Sequence, residues 1–163
     1  MEGGGGFFAL HTASACWDNL VEHPDDKWST KFHVDLLNAA FGGHSPYKDY
    51  ISTVTIPGDP ITEGLSDYVV TDELYHPIVF NRSRSTVFLT AYDRGKNTTA
   101  GDNSTGSNPA VHGMRHTFGK GRVLYFAQGH DMAEFEDPSS FTGNHAFQVV
   151  VLRCLQWLAK RLT

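Results

Sequence analysis

The chain has 163 residues, 40% of them apolar and 19% charged, and its 11 Phe, 6 Tyr and 3 Trp carry enough apolar surface to offset the entropy of ordering one domain. A net charge of −5 with 13 Lys and Arg scattered along the sequence excludes the basic stripe that tracks nucleic acid, and the longest apolar run, Val149-Val150-Val151-Leu152, is far short of the roughly 20 residues that span a bilayer. The opening Met1-Glu2 and its four glycines carry neither half of a secretory signal, so a cytoplasmic setting is expected, and Cys16 and Cys154 frame neither a disulfide scaffold nor a metal knuckle.

In chain order, Phe7-Phe8-Ala9-Leu10 reads as a short buried strand, with His11 at its C-terminal end. Ser29 or Thr30 caps a helix that places Phe32, Leu36, Leu37 and Ala40 on one side and stops at Gly42-Gly43, with His44 in the loop that follows. Tyr50-Ile51-Ser52-Thr53-Val54-Thr55-Ile56 alternates with period two and ends at the Pro57-Gly58-Asp59-Pro60 turn, after which Pro60-Ile61-Thr62-Glu63-Gly64-Leu65 reads as a short helical turn. Thr71-Asp72-Glu73-Leu74-Tyr75-His76-Pro77 crowds acidic, phenolic and imidazole groups together and reads as a site loop. Thr86-Val87-Phe88-Leu89-Thr90-Ala91 is a strand, and residues 94–109, rich in Gly, Asn, Ser and Thr, read as a mobile surface loop placed to act as a lid. Two further strands flank the hairpin turn Gly119-Lys120-Gly121-Arg122, and Gln128-Gly129-His130-Asp131 leaves the second of them. From Thr142 or Asn144 to Leu162, the spacing of Phe147, Val151, Cys154, Leu155 and Leu158 predicts a long helix covering the sheet.

These elements predict one α/β domain over residues 1–163, with a mostly parallel sheet flanked by helices and an antiparallel hairpin edge. In such a sheet, ligands sit beyond the C-terminal ends of the strands, where His11 and His130 are expected to converge. Imidazole moves protons near neutral pH and binds metals, so His11 and His130 are candidate acid/base groups, with His44 ranked below them; the plainer reading is that each caps a strand or bonds a carbonyl. Asp72 and Glu73 point to opposite sides of an extended segment, so Glu73 is expected to face the pocket while Asp72 binds backbone amides. The alternative is that both solvate an exposed turn. Cys16 lacks the Gly-x-Cys-x-Gly elbow of a thiol nucleophile and is read as structural.

Taken in order, Gly4-Gly5-Gly6-Phe7-Phe8-Ala9-Leu10-His11-Thr12-Ala13, Asp72-Glu73-Leu74-Tyr75, Phe118-Gly119-Lys120-Gly121-Arg122-Val123-Leu124-Tyr125, Gly129-His130-Asp131 and Leu155-Gln156-Trp157-Leu158-Ala159 resemble the trehalose-utilisation, ThuA-like family across residues 4–159. The resemblance implies a flavodoxin-like sheet between helices, similar to the class I glutamine amidotransferases, and a link to trehalose or related disaccharides. In those amidotransferases a cysteine follows the central strand; here His11 stands there, so thiolate-dependent glutamine hydrolysis is not expected. Family members have strands before the glycine run, so the sequence reads as an N-terminally shortened domain whose open sheet edge pairs with another copy.

The reading is therefore an enzyme of carbohydrate metabolism acting on a disaccharide or keto-sugar, with His11, Glu73 and His130 catalytic. His44, Asp72 and Tyr75 would contact substrate, and Trp17 would stack on a sugar ring. If a cofactor is present, it is a divalent metal such as zinc on the histidines and one carboxylate. The rival is a non-catalytic sugar-binding or interaction domain on the same fold.

Overall fold

In the computed structural model, which describes residues 1, 3–16, 29–92, 110–130 and 145–162, the first apolar run lies in β1 (Gly6–Leu10) and pairs in parallel with β8 (Gly121–Phe126), Gly6 facing Arg122 and Leu10 facing Phe126. Side chains alternate across both strands: Phe8, Leu10, Leu124 and Phe126 enter one core cluster, Phe7, Ala9, Val123 and Tyr125 the other. Strands that are apolar on both faces must be covered on both. One cover is the C-terminal helix α1 (His145–Leu158), which buries Phe147, Val150, Cys154, Trp157 and Leu158. The other includes the π-helical segment Thr30–Leu37, which contributes Phe32, Leu36 and Leu37. A Cβ at Gly6 would stand 2.7 Å from the Cβ of Leu158, so glycine is what lets α1 lie against β1.

The remaining strands are β2 (Ala39–Ala40), β3 (His44–Val54), β4 (Tyr68–Tyr75), β5 (Ile78–Val79), β6 (Thr86–Tyr92) and β7 (Ala110–Phe118). Six of the strands form a sheet in the order β1-β8-β7-β6-β3-β4, and β2 pairs with β5 separately. Among the described strands of the large sheet only the β1–β8 ladder is parallel, so the mostly parallel, flavodoxin-like arrangement expected from sequence gives way to a mixed α/β fold built on a mostly antiparallel sheet. The reason lies in the connections. A parallel neighbour needs a long crossover, whereas β3 and β4 are joined by the turns of residues 55–67 and β7 and β8 by Gly119-Lys120, so each pair doubles back.

The sheet is curled, bringing its two ends in pairing order close together. The carboxylate of Asp72 on β4 accepts the Gly129 N–H just after β8 (2.8 Å), the Tyr68 hydroxyl donates to Gln128 Oε1 (3.3 Å), and His112 on β7 places Nε2 3.0 Å from the carbonyl of Tyr75. Ile61, Val70 and Leu74 share a core cluster with Phe126 and α1, so apolar burial closes the curl along with these polar ties.

Other departures have local causes. The first helix ends at Leu37, before Gly42-Gly43, because Asn38 turns left-handed (φ 61°) and its amide spans the Asn81 backbone and Ser85 Oγ; Ala40 then belongs to β2. Ser29 caps that helix as expected, its hydroxyl accepting from Phe32 N. His44 begins β3, and Thr71 to Tyr75 are paired with β3 in β4, where a site loop was expected. The apolar face of α1 is rotated: Val150 and Trp157 are buried while Leu155 is half exposed. The expected 94–109 lid and Trp17 lie outside the described residues. No helix among those described is long and apolar enough to cross a membrane.

His112 is fully buried, and that burial pushes its pKa down from 6.5 to about 3 despite the Tyr75 carbonyl. A depressed imidazole pKa means the unfolded chain binds the extra proton between those two values, so this group's contribution to stability is present above pH 6.5 and lost as the pH falls toward 3. Asp72, whose pKa is raised by burial, acts with the opposite sign. Acidification from pH 7 to 4 should cost on the order of 3 kcal/mol through His112. In denaturant titrations across that range, His112→Gln, which keeps a donor for Tyr75 but does not titrate, should show the smaller loss; equal losses would remove His112 as the acid-sensitive group.

Candidate functional site

Three chain segments deliver imidazoles to one place. His11 follows β1 directly, at φ 44°, where the strand tips into the short 3-10 turn His11–Ala15. A side chain at positive φ is uncommon, and here the ring is anchored by Nδ1 at 2.7 Å from the carbonyl of Ala127. That bond puts the proton on Nδ1 and leaves Nε2 turned inward, buried and without a hydrogen-bond partner. His130 comes after Gly129, whose φ of 119° is one that residues with a Cβ rarely adopt. His44 starts β3 beside a break in the β3–β4 register between His44 and Tyr47, where Pro46 offers no N–H and Ser45 Oγ accepts from Leu74 N in place of a ladder partner.

β4 supplies the carboxylates. Glu73 and Tyr75, two residues apart, turn to the same side, and Glu73 lies among all three rings: Oε2 is 3.0 Å from His130 Nδ1 and 3.8 Å from His11 Nε2, and Oε1 is 3.4 Å from His44 Nδ1. His44 Nδ1 also lies 2.8 Å from its neighbour's carbonyl, Ser45 O. The Tyr75 ring lies 4.1 Å from the His11 ring and 5.8 Å from His44, with Phe41 packed edge-on at 5.0 Å. Asp72 takes the opposite direction and is fully buried, Oδ1 accepting from Glu73 N (2.6 Å) and Oδ2 from Gly129 N. One ligand atom each from His11, Asp72 and His130 lie within 4.8 Å of one another.

The site grades from dry to wet. His11, Tyr75 and Asp72 are buried, Glu73 is partly covered, and the side chains of His44 and His130 are 41% and 46% exposed. Burial, reinforced by the Glu73 and Asp72 charges, pushes the Tyr75 phenol up to about 12, so it stays a hydrogen-bond donor at neutral pH. Burial also raises the Asp72 pKa, against the opposing pull of the Gly129 amide. The cluster therefore offers a carboxylate between ring nitrogens, a neutral phenol, and a solvent-facing imidazole, the components of proton transfer at a polar ligand.

Of the residues singled out from sequence, His11, His44, Asp72, Glu73, Tyr75 and His130 meet here. Cys16 is exposed, and its thiol contacts the Thr12 carbonyl. Sequence reasoning missed Tyr47, whose exposed ring lies 5.8 Å from that of His130; its register opposite Glu73 was the available signal, but only once β3 and β4 were known to pair. It also missed His112, whose bond to the Tyr75 carbonyl steadies the end of β4 from below.

A family model described as ThuA, trehalose utilisation, matches residues 1–158. No curated protein matches the chain. Among solved structures, a ThuA-like protein from Bacteroides uniformis ATCC 8492 is 18% identical (TM-score 0.65), with 97% of this chain aligned to 60% of that one. A ThuA-like protein from Parabacteroides merdae ATCC 43184 is 20% identical (TM-score 0.62; 97% and 61%), and a cytoplasmic protein from Salmonella typhimurium LT2 is 14% identical (TM-score 0.58; 99% and 57%). The chain thus spans about three fifths of the length of these structures, and at such identities the likeness is one of fold.

The tie from Asp72 to Gly129 is what sets His130 beside Glu73. Asp72→Asn keeps the size but replaces one acceptor oxygen with an NH2 group, leaving a part-buried backbone amide without its partner at a cost of about 1 kcal/mol or more. A drop of several degrees in melting temperature, with faster hydrogen exchange at Gly129 N–H or Glu73 N–H, is expected. Unchanged exchange at both amides would mean the carboxylate does not hold this junction.

Proposed function

The chain belongs to the trehalose-utilisation (ThuA) family, and from that membership we propose that the histidine and carboxylate cluster acts on a small carbohydrate, a disaccharide of the trehalose kind or its keto derivative, by proton transfer through Glu73. The observation that carries this reading is a single carboxylate with imidazole nitrogens from three separate segments within 4 Å of it, His130 at hydrogen-bond distance. A group that only solvates a turn has no need of three such neighbours, whereas a base must be aimed and kept from swinging away.

In this reading Glu73 takes a proton from a sugar hydroxyl, or from the carbon beside a keto group. His130 and His44 flank it. His130, the most exposed of the three rings, passes the proton onward to water. The Tyr75 phenol, kept protonated, donates to a substrate oxygen, and the ring of Tyr47 gives an apolar face for a pyranose to lie on. A chemistry based on Cys16 has no support from its surroundings among the described residues, where the thiol donates to the Thr12 carbonyl.

Glu73→Gln keeps the shape and removes the base. It should lower the turnover of trehalose or keto-disaccharides by about 10²–10⁴-fold while leaving affinity within a few-fold, because general-base catalysis contributes about that much. Product formation by chromatography and binding by calorimetry are the two readouts. If the parent protein binds these sugars and converts none of them, the domain is a carbohydrate-binding module and the catalytic reading fails.

A further inference from the structure

We propose that the same cluster holds one divalent zinc ion, bound by His11 Nε2, a ring nitrogen of His130 and the carboxylate of Asp72, with a fourth position left open toward Glu73. This goes beyond proton transfer to a sugar and stands on the donor set alone.

Three independent features point the same way. First, His11 Nε2 is a buried nitrogen with no hydrogen-bond partner, and Glu73 Oε2 stands 3.8 Å from it. Leaving such an atom bare is costly, and a cation would use its lone pair. Second, the other nitrogen of that ring is fixed on the Ala127 carbonyl at 2.7 Å, which is the outer contact that metal-bound imidazoles use to set their tautomer and direction. Asp72 is likewise held by two backbone amides. Third, two imidazoles and one carboxylate are a borderline donor set suited to zinc with an open coordination position.

The ligand atoms lie within 4.8 Å of one another, whereas atoms sharing one zinc stand about 3.3 Å apart, given bonds of about 2.0–2.1 Å. The gap has to be closed by the member that can move. His11 and Asp72 are buried and tied, so His130, exposed and carried on Gly129, is the one that swings inward. Glu73 then stands beside the open position, where it can accept a proton from water held on the ion.

The test is zinc binding by the full chain. Protein purified without chelator should carry about one zinc, and the stripped protein should take up one equivalent of zinc chloride in calorimetry, with a rise in melting temperature. His11→Ala and His130→Ala should each weaken zinc about 100-fold or more, and Glu73→Gln should stay within about tenfold of the parent. His130→Ala removes an exposed side chain, so it decides the matter if His11→Ala does not fold by circular dichroism. A parent protein that takes up no stoichiometric zinc, or a folded His130→Ala that binds it as tightly as the parent, overturns the proposal. Because bound metal is read directly, the two ideas part cleanly: zinc uptake without any sugar conversion leaves this inference standing alone, and conversion by a parent protein that takes up no zinc removes it while keeping the other.

Discussion

A buried carboxylate is the constraint on which the rest of this structure hangs. Asp72 sits with no solvent contact between β4 and the segment that follows β8, and backbone amides, those of Gly129 and Glu73 among them, offset the loss of water. An isolated charge in that position would cost several kcal/mol, while amide donors aimed at both oxygens recover much of it. The bargain fixes geometry. It joins an outer strand of the sheet to the far side of the curl, and in doing so sets the side chain next along the strand, Glu73, against the ends of β1 and β8.

The parallel β1–β8 ladder supplies the complementary half. Two parallel neighbours finish on the same side, so the residues that leave them, His11 and the Gly129-His130 pair, emerge together. An antiparallel pair would have sent them to opposite ends. The large sheet is otherwise antiparallel, and its one parallel ladder among the described strands is the one that gathers the imidazoles. Beneath them the core does the plain work of rigidity: α1 against one face, the Thr30–Leu37 segment against the other, and His112 bonding the carbonyl at the end of β4.

Much of this was legible in the residues. Strands β1, β6 and β8 and the Gly119-Lys120 turn are stated by short apolar, β-prone runs bounded by turn residues, and the positions of His11 and His130 follow from where those runs stop. Strand direction was not legible, because side chains alternate identically in parallel and antiparallel ladders; only the connections decide, and a turn-built connection such as residues 55–67 resembles a short helix in composition. β4 was hidden by its own chemistry. Asp and Glu are poor strand formers, so a segment rich in them reads as a loop unless the partners that satisfy them, the Gly129 amide and the rings, are already known. For α1 the helix was evident but its rotation was not, since both Leu155 and Trp157 could have faced inward, and the choice fell to Trp157, over which the guanidinium groups of Arg115 and Arg122 lie.

The left-handed backbone of His11 has an evolutionary corollary. At φ 44° glycine would be relaxed, while a residue with a Cβ, histidine included, holds its place at some conformational cost. Selection for heat resistance alone would therefore drift this position toward smaller residues. Histidine at this position trades robustness for where one nitrogen points.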